Sequence, residues 1–276
     1  MKWLHFILSH SIFIAICAVA LAFQTAQLLQ IETHLSVYGF IFFATLCSYN
    51  FYWLLSKFSF AGTGFFTGFL KKEMVSICLL IFSAAGLLFC LYRSPLHMNY
   101  VATAVLLTII YAVPLLPFKF LRFTRKAGVL KTTLLAFTWV YVTGFLPMER
   151  SYAMLNSADI FILTRRFLFM LMLCIIFDSR DIAVDKIRGL RSLATDLNPS
   201  TLQILIYSIF IVMFATNFLS TYFGISSYQS IALQTSTIAL LVVYFYSTKK
   251  QDYLFYYFIV DGLMLFSALT TFIAGI

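Results

Sequence analysis

The stretch IFILTRRFLFMLMLCIIFDSRDIAVDKIRGLRSLAT, residues 160–195, changes character within one position: an apolar run closes at Phe177, and Asp178, Asp181 and Asp185 follow. On a helix turning about 100° per residue, the spacing i, i+3, i+7 brings three carboxylates within roughly 60° of one another. The run that precedes them, Ile160 to Phe177, approaches the about 20 residues a helix needs to cross a bilayer. Arg165 and Arg166 interrupt it near its start, and are read as snorkelling to head groups or pairing with Glu149 or Asp159.

The rest of the chain follows the same pattern. Of 276 residues 62% are hydrophobic and only 11% charged, a composition suited to lipid and unlike that of an ordinary globular domain. Eight further apolar runs can be marked: Leu4–Leu29, Ser36–Leu55, Met74–Tyr92, Tyr100–Phe118, Leu130–Pro147, Leu202–Tyr222, Ser230–Tyr246 and Tyr253–Ile273. Backbone groups in hydrocarbon have no water to bond, so each run is expected to be helical. The expectation is one all-α domain over residues 1–276, a polytopic membrane protein with nine transmembrane helices around a central cavity. The first run continues past Ala18 and Ala20 toward Leu29, which sets it apart from a cleaved leader.

Basic residues orient the chain. With the N-terminus and the even-to-odd connections on one side, that side takes all of the 19 Lys and Arg except Arg93, Arg150, Arg165 and Arg166. The positive-inside rule makes it the cytoplasmic side and puts the C-terminus opposite. The expected location is a cell membrane, the bacterial cytoplasmic membrane. The net charge of +9 is then accounted for by short loops facing anionic lipid, without nucleic acid as a partner.

Several chemistries lack their residues. The five cysteines lie inside apolar runs with no CxxC spacing, and the four histidines are far apart, so neither a zinc site nor a Cys/His pair is supported. No Walker A loop, GxGxxG or GxSxG elbow is present. Clustered carboxylates suit Mg²⁺, a hard cation that often completes its shell with substrate phosphates. Runs two, four and six end on the same side, so Asn50, the segment Pro114–Arg122 and the three aspartates can share one site. Lys119, Arg122 and Lys126 after run four, with Lys186 and Arg188 beside the aspartates, offer the charge and forked geometry that a diphosphate needs. Asp261, about 12 Å inside the last run, is an acid at a depth where acids generally face a cavity or a partner.

Asp178, Asp181 and Asp185 followed by Lys186, Gly189, Arg191 and Ser192 resemble the second aspartate-rich motif of the UbiA superfamily of intramembrane prenyltransferases. Tyr111, Pro114, Pro117, Lys119 and Arg122 are similar to that family's segment after its fourth helix. The resemblance implies nine helices around a cavity, with Mg²⁺ and a prenyl diphosphate near the cytoplasmic face. It implies that pyrophosphate leaves and that the allylic cation alkylates a lipophilic acceptor. Asp178, Asp181 and Asp185 would be the metal ligands and catalytic residues, with Lys119, Arg122 and Lys186 on the phosphates.

The first motif of the family departs. Where two or three aspartates belong, this chain keeps only Asn50, followed by Phe51, Trp53 and Leu54, which coordinate nothing. Asn50 still offers a carbonyl oxygen to a metal or an amide to a phosphate. A Lewis-acid metal contributes several kcal/mol to a leaving group, so one missing ion weighs heavily on turnover. The alternative expectation is a catalytically degenerate relative that binds an isoprenoid or anionic lipid without turnover. A transporter is a third class, but inverted repeats are not visible.

Overall fold

The computed structural model describes residues 2–60, 73–112, 128–150, 152–188 and 191–276, and all the regular structure in them is helical. The helices are α1 (Lys2–Ser9), α2 (Ile12–Leu28), α3 (Leu35–Phe60), α4 (Met74–Arg93), α5 (Met98–Ala112), α6 (Gly128–Val140), α7 (Ser157–Arg188), α8 (Leu193–Asp196), α9 (Pro199–Leu219), α10 (Ser227–Ser247) and α11 (Asp261–Ile273). Two of them carry π-helical turns, Tyr141–Phe145 at the end of α6 and Phe255–Val260 ahead of α11.

Seven helical stretches are long and apolar enough to cross a membrane, which fits a multi-pass membrane protein. Each of the nine apolar runs is helical over most of its described residues, but one differs from the simple expectation. The first run is not continuous: α1 and α2 meet at a 69° bend. Ser11 there takes a left-handed conformation at φ 62°, and the His10 carbonyl that the bend exposes accepts a hydrogen bond from Asn50 Nδ2 at 3.2 Å. The fourth run is described only as far as Ala112, all of it within α5, and its remainder lies outside the described residues.

The stretch 160–195 sits at the centre of this arrangement. Every side chain from Phe169 to Ile176 is buried, as expected for a helix that is apolar all round. At 1.5 Å per residue, about 20 residues from Ser157 cover the roughly 30 Å hydrocarbon core and end near Phe177. The aspartates therefore begin where a membrane-crossing α7 would emerge. α7 packs against α6, α2 lies between α3 and α11, and α10 runs along α11. Small residues on α2, including Ala15, Ala18 and Ala22, are fully enclosed and let neighbouring backbones approach closely.

The two arginines in α7 correct the sequence reading. They neither snorkel nor pair with an acid: Asp159 is held by Arg150 at 2.9 Å, Glu149 by His34 at 2.8 Å, and Arg165 and Arg166 are buried in the bundle. Arg165 donates from Nε to Asn217 Oδ1 (2.7 Å) and from Nη2 to the Leu233 carbonyl (3.0 Å). Arg166 donates to the Leu21 carbonyl (2.9 Å), Gln24 Oε1 (2.9 Å), Thr25 Oγ1 (3.1 Å) and Thr143 Oγ1 (3.2 Å). Neutral oxygens replace the carboxylates expected there. Gln24 in turn donates to Ser267 and Thr271, tying α11 into the same network.

Candidate functional site

Asp178 is anchored to α6 by Thr132. Thr132 on α6 donates its hydroxyl to Asp178 Oδ2 at 2.5 Å, and the same hydroxyl accepts the Leu193 backbone N–H at 3.0 Å. Residues after α7 thus fold back as the short α8 against the start of α6, where the Gly128 N–H also donates to Asp196 Oδ2 at 3.0 Å. Gly128 is required by space: a Cβ there would stand 2.6 Å from the Ser192 backbone and from Asp196. Within α8, Thr195 Oγ1 accepts the Ser192 N–H at 2.7 Å and completes the turn.

Asp185 is buried at 8% exposure and is an electrostatic neighbour of Asp178. Both, with Asp181, fall within electrostatic reach of the Tyr111 hydroxyl at the end of α5. Asp181 is engaged elsewhere as well: Arg180 grips it through two hydrogen bonds of 2.7 Å.

Tyr111 meets α3, the helix on which the first aspartate motif was sought. Tyr52 places its ring edge-on to Tyr111 at 5.4 Å and donates to the Thr108 carbonyl at 2.7 Å. Tyr49 has both Tyr111 and Asp261 as electrostatic neighbours. Asn50 is buried with its amide committed to the His10 and Leu46 carbonyls, so it braces the α1–α2 bend. Lys57, further along α3, forms an ion pair with Glu73 and lies 4.3 Å over the Trp53 ring.

Asp261 is buried at the start of α11, directly after its π turn. Cys174, one helical turn before Asp178, is the common neighbour of Asp178 and Asp261. Lys186 is exposed on the last turn of α7, and Arg188 is that helix's final residue. Lys119, Arg122 and Lys126 lie outside the described residues.

These positions bear on Mg²⁺ directly. Among the described residues no three His, Cys, Asp or Glu side chains form a group that could hold a metal ion. The arrangement fits a cation only in the manner usual for Mg²⁺ with phosphate substrates, one or two carboxylates supplemented by phosphate oxygens. Asp178 and Asp185, electrostatic neighbours on α7, are the two acids to which that manner of binding would apply. The chain matches no family model, no curated protein and no solved structure.

Sequence reasoning missed Thr132, Tyr49 and Tyr52. Thr132 carried a faint signal, a hydroxyl one turn after Gly128 in a segment facing the aspartate helix, but nothing local to it points 46 positions ahead.

Proposed function

We propose that this chain is an integral membrane protein of the UbiA prenyltransferase type, with nine spans once the bent α1–α2 pair and α5 are each counted as one. In this reading it takes a prenyl diphosphate beside Asp178 and Asp185 and transfers the prenyl group to a lipophilic acceptor. The observation that carries it is Asp178 anchored by Thr132 at the acidic end of α7, with the buried Asp185 as its electrostatic neighbour. Charge asymmetry supports a cytoplasmic N-terminus and an opposite C-terminus, in a membrane such as the bacterial cytoplasmic one.

The chain's own groups supply binding and orientation. Asp178 and Asp185 would hold Mg²⁺ together with diphosphate oxygens, and the ion when bound would neutralise charge on the departing pyrophosphate. The allylic C–O bond breaks with its electron pair leaving on pyrophosphate. The acceptor supplies the pair for the new bond and sheds a proton. Tyr49, Tyr52 and Tyr111 provide aromatic surface suited to a prenyl chain and its developing positive charge.

A second reading has its own observation. Asp181 is held by Arg180 and the Asn50 amide by two carbonyls, which leaves the site short of acidic ligands and favours a relative that binds an isoprenoid without turnover. Pyrophosphate release from farnesyl and geranylgeranyl diphosphate by the purified full chain, with Mg²⁺ and with chelator, separates the two. Release that needs Mg²⁺ and is lost in Asp178→Asn supports the enzyme. Retained diphosphate without release supports the binding protein, and neither outcome removes both.

A further inference from the structure

On the side of α7 away from Thr132 lies an open recess of about 570 Å³, formed by Arg180 and the connection from α10 to α11. Its floor is a layered cation and aromatic stack. The Arg180 guanidinium stands 5.0 Å from the Phe177 ring, 4.9 Å from Tyr256 and 5.2 Å from Tyr257. Lys249 and Lys250 form its rim with Tyr253, which is 40% exposed and stacks on Tyr257 at 4.3 Å.

The two lysines have no structural task that explains them. Cations near a helix C-terminus often cap it, but the last carbonyls of α10 are already taken: Ser247 and Thr248 donate to Tyr244 and Phe245, while Gln251 Nε2 and the Lys249 backbone N–H donate to Tyr246. Neither ammonium pairs with a carboxylate among the described residues. The acids on the recess are committed, Asp181 to Arg180 and Asp252 to the Phe255 N–H at 2.9 Å. What remains is net positive charge over an aromatic floor at the end of two apolar helices, where phospholipid head groups lie.

We propose that this recess binds the phosphate group of an anionic membrane lipid, with Lys249 and Lys250 on the phosphate and the tyrosines against its glycerol and upper chain. The site is separate from Asp178 and Asp185 and does not require prenyl transfer to occur.

Native mass spectrometry of the detergent-solubilised full chain, titrated with phosphatidylglycerol, phosphatidylcholine or inorganic phosphate, tests it. Phosphatidylglycerol should be retained over phosphatidylcholine. With about fivefold contributed by each lysine, Lys249→Gln/Lys250→Gln should weaken retention about twenty-five-fold. The exposed position of both lysines makes this pair of changes safe for folding, and Lys249→Arg/Lys250→Arg should keep the lipid. Equal retention of both lipids, or retention of phosphatidylglycerol undiminished in the Gln pair, overturns the proposal. So does lysine-dependent binding of inorganic phosphate with no preference for phosphatidylglycerol, which would mark a site for soluble phosphate.

Discussion

Thr132 and Asp178, 46 positions apart, share a 2.5 Å hydrogen bond that fastens α6 to the acidic end of α7. Through its second contact, with the Leu193 N–H, the threonine also holds the segment that returns from α7. One hydroxyl thereby sets where the carboxylate sits and where the chain goes next.

Thr132→Val keeps the shape of the side chain and removes the donor. Leaving the half-buried carboxylate and the Leu193 N–H without this partner should cost about 1–3 kcal/mol, read as a lowered melting temperature in detergent. Thr132→Ser should restore most of it. A Val variant as stable as the parent would mean that Asp178 is held by other groups.

Gly128→Ala forces a methyl group into contact with the Ser192 backbone and Asp196, neither of which is the free end of a flexible chain. The cost should be about 1–3 kcal/mol, as for other overpacked sites. Limited proteolysis between α7 and α8 should accelerate in step with it. Unchanged cleavage would show that α8 does not need this close approach.

Arg166→Lys retains the charge but loses the fork that reaches α2 and the π turn of α6 together. Denaturant unfolding should register at least about 2 kcal/mol of destabilisation, and Arg166→Ala more, since Gln24 and Thr143 then lose a buried donor. A lysine variant of parental stability would demote the network to incidental contacts.

Mg²⁺ should bind weakly to the chain alone and much more tightly when a prenyl diphosphate is present, because among the described residues no three acidic, His or Cys side chains form a metal-holding group and phosphate oxygens must complete the shell. Calorimetry with the ion, the diphosphate and both together measures this. Asp178→Asn or Asp185→Asn should abolish the synergy, whereas tight Mg²⁺ binding without diphosphate would contradict a two-carboxylate site.

The helical class was legible because hydrocarbon leaves the backbone no alternative, and the shared face of the aspartates because helical periodicity is a local rule. The bend at Ser11 and the fate of Arg165 and Arg166 were not. A charged pair in an apolar run reads as a surface feature when only neighbours in sequence are considered. Its partners here are Gln24, Thr25, Thr143 and Asn217, polar residues in three separate elements, each unremarkable alone. The polar positions inside several apolar runs were the available clue. The hydrogen bonds of Asn50 had no local sign either, since an asparagine suited to a phosphate is equally suited to an open carbonyl at a helix break.

The consecutive arginines also imply an order of assembly. Every acceptor of Arg166 lies earlier in the chain, at Leu21, Gln24, Thr25 and Thr143, whereas both acceptors of Arg165, Asn217 and Leu233, come later. During synthesis the first guanidinium can be satisfied as soon as α7 meets the helices already made. The second must stay with water or the insertion machinery, at about 3 kcal/mol for an arginine mid-bilayer, until α9 and α10 arrive. The C-terminal helices thus act as the latch that lets α7 settle into the lipid.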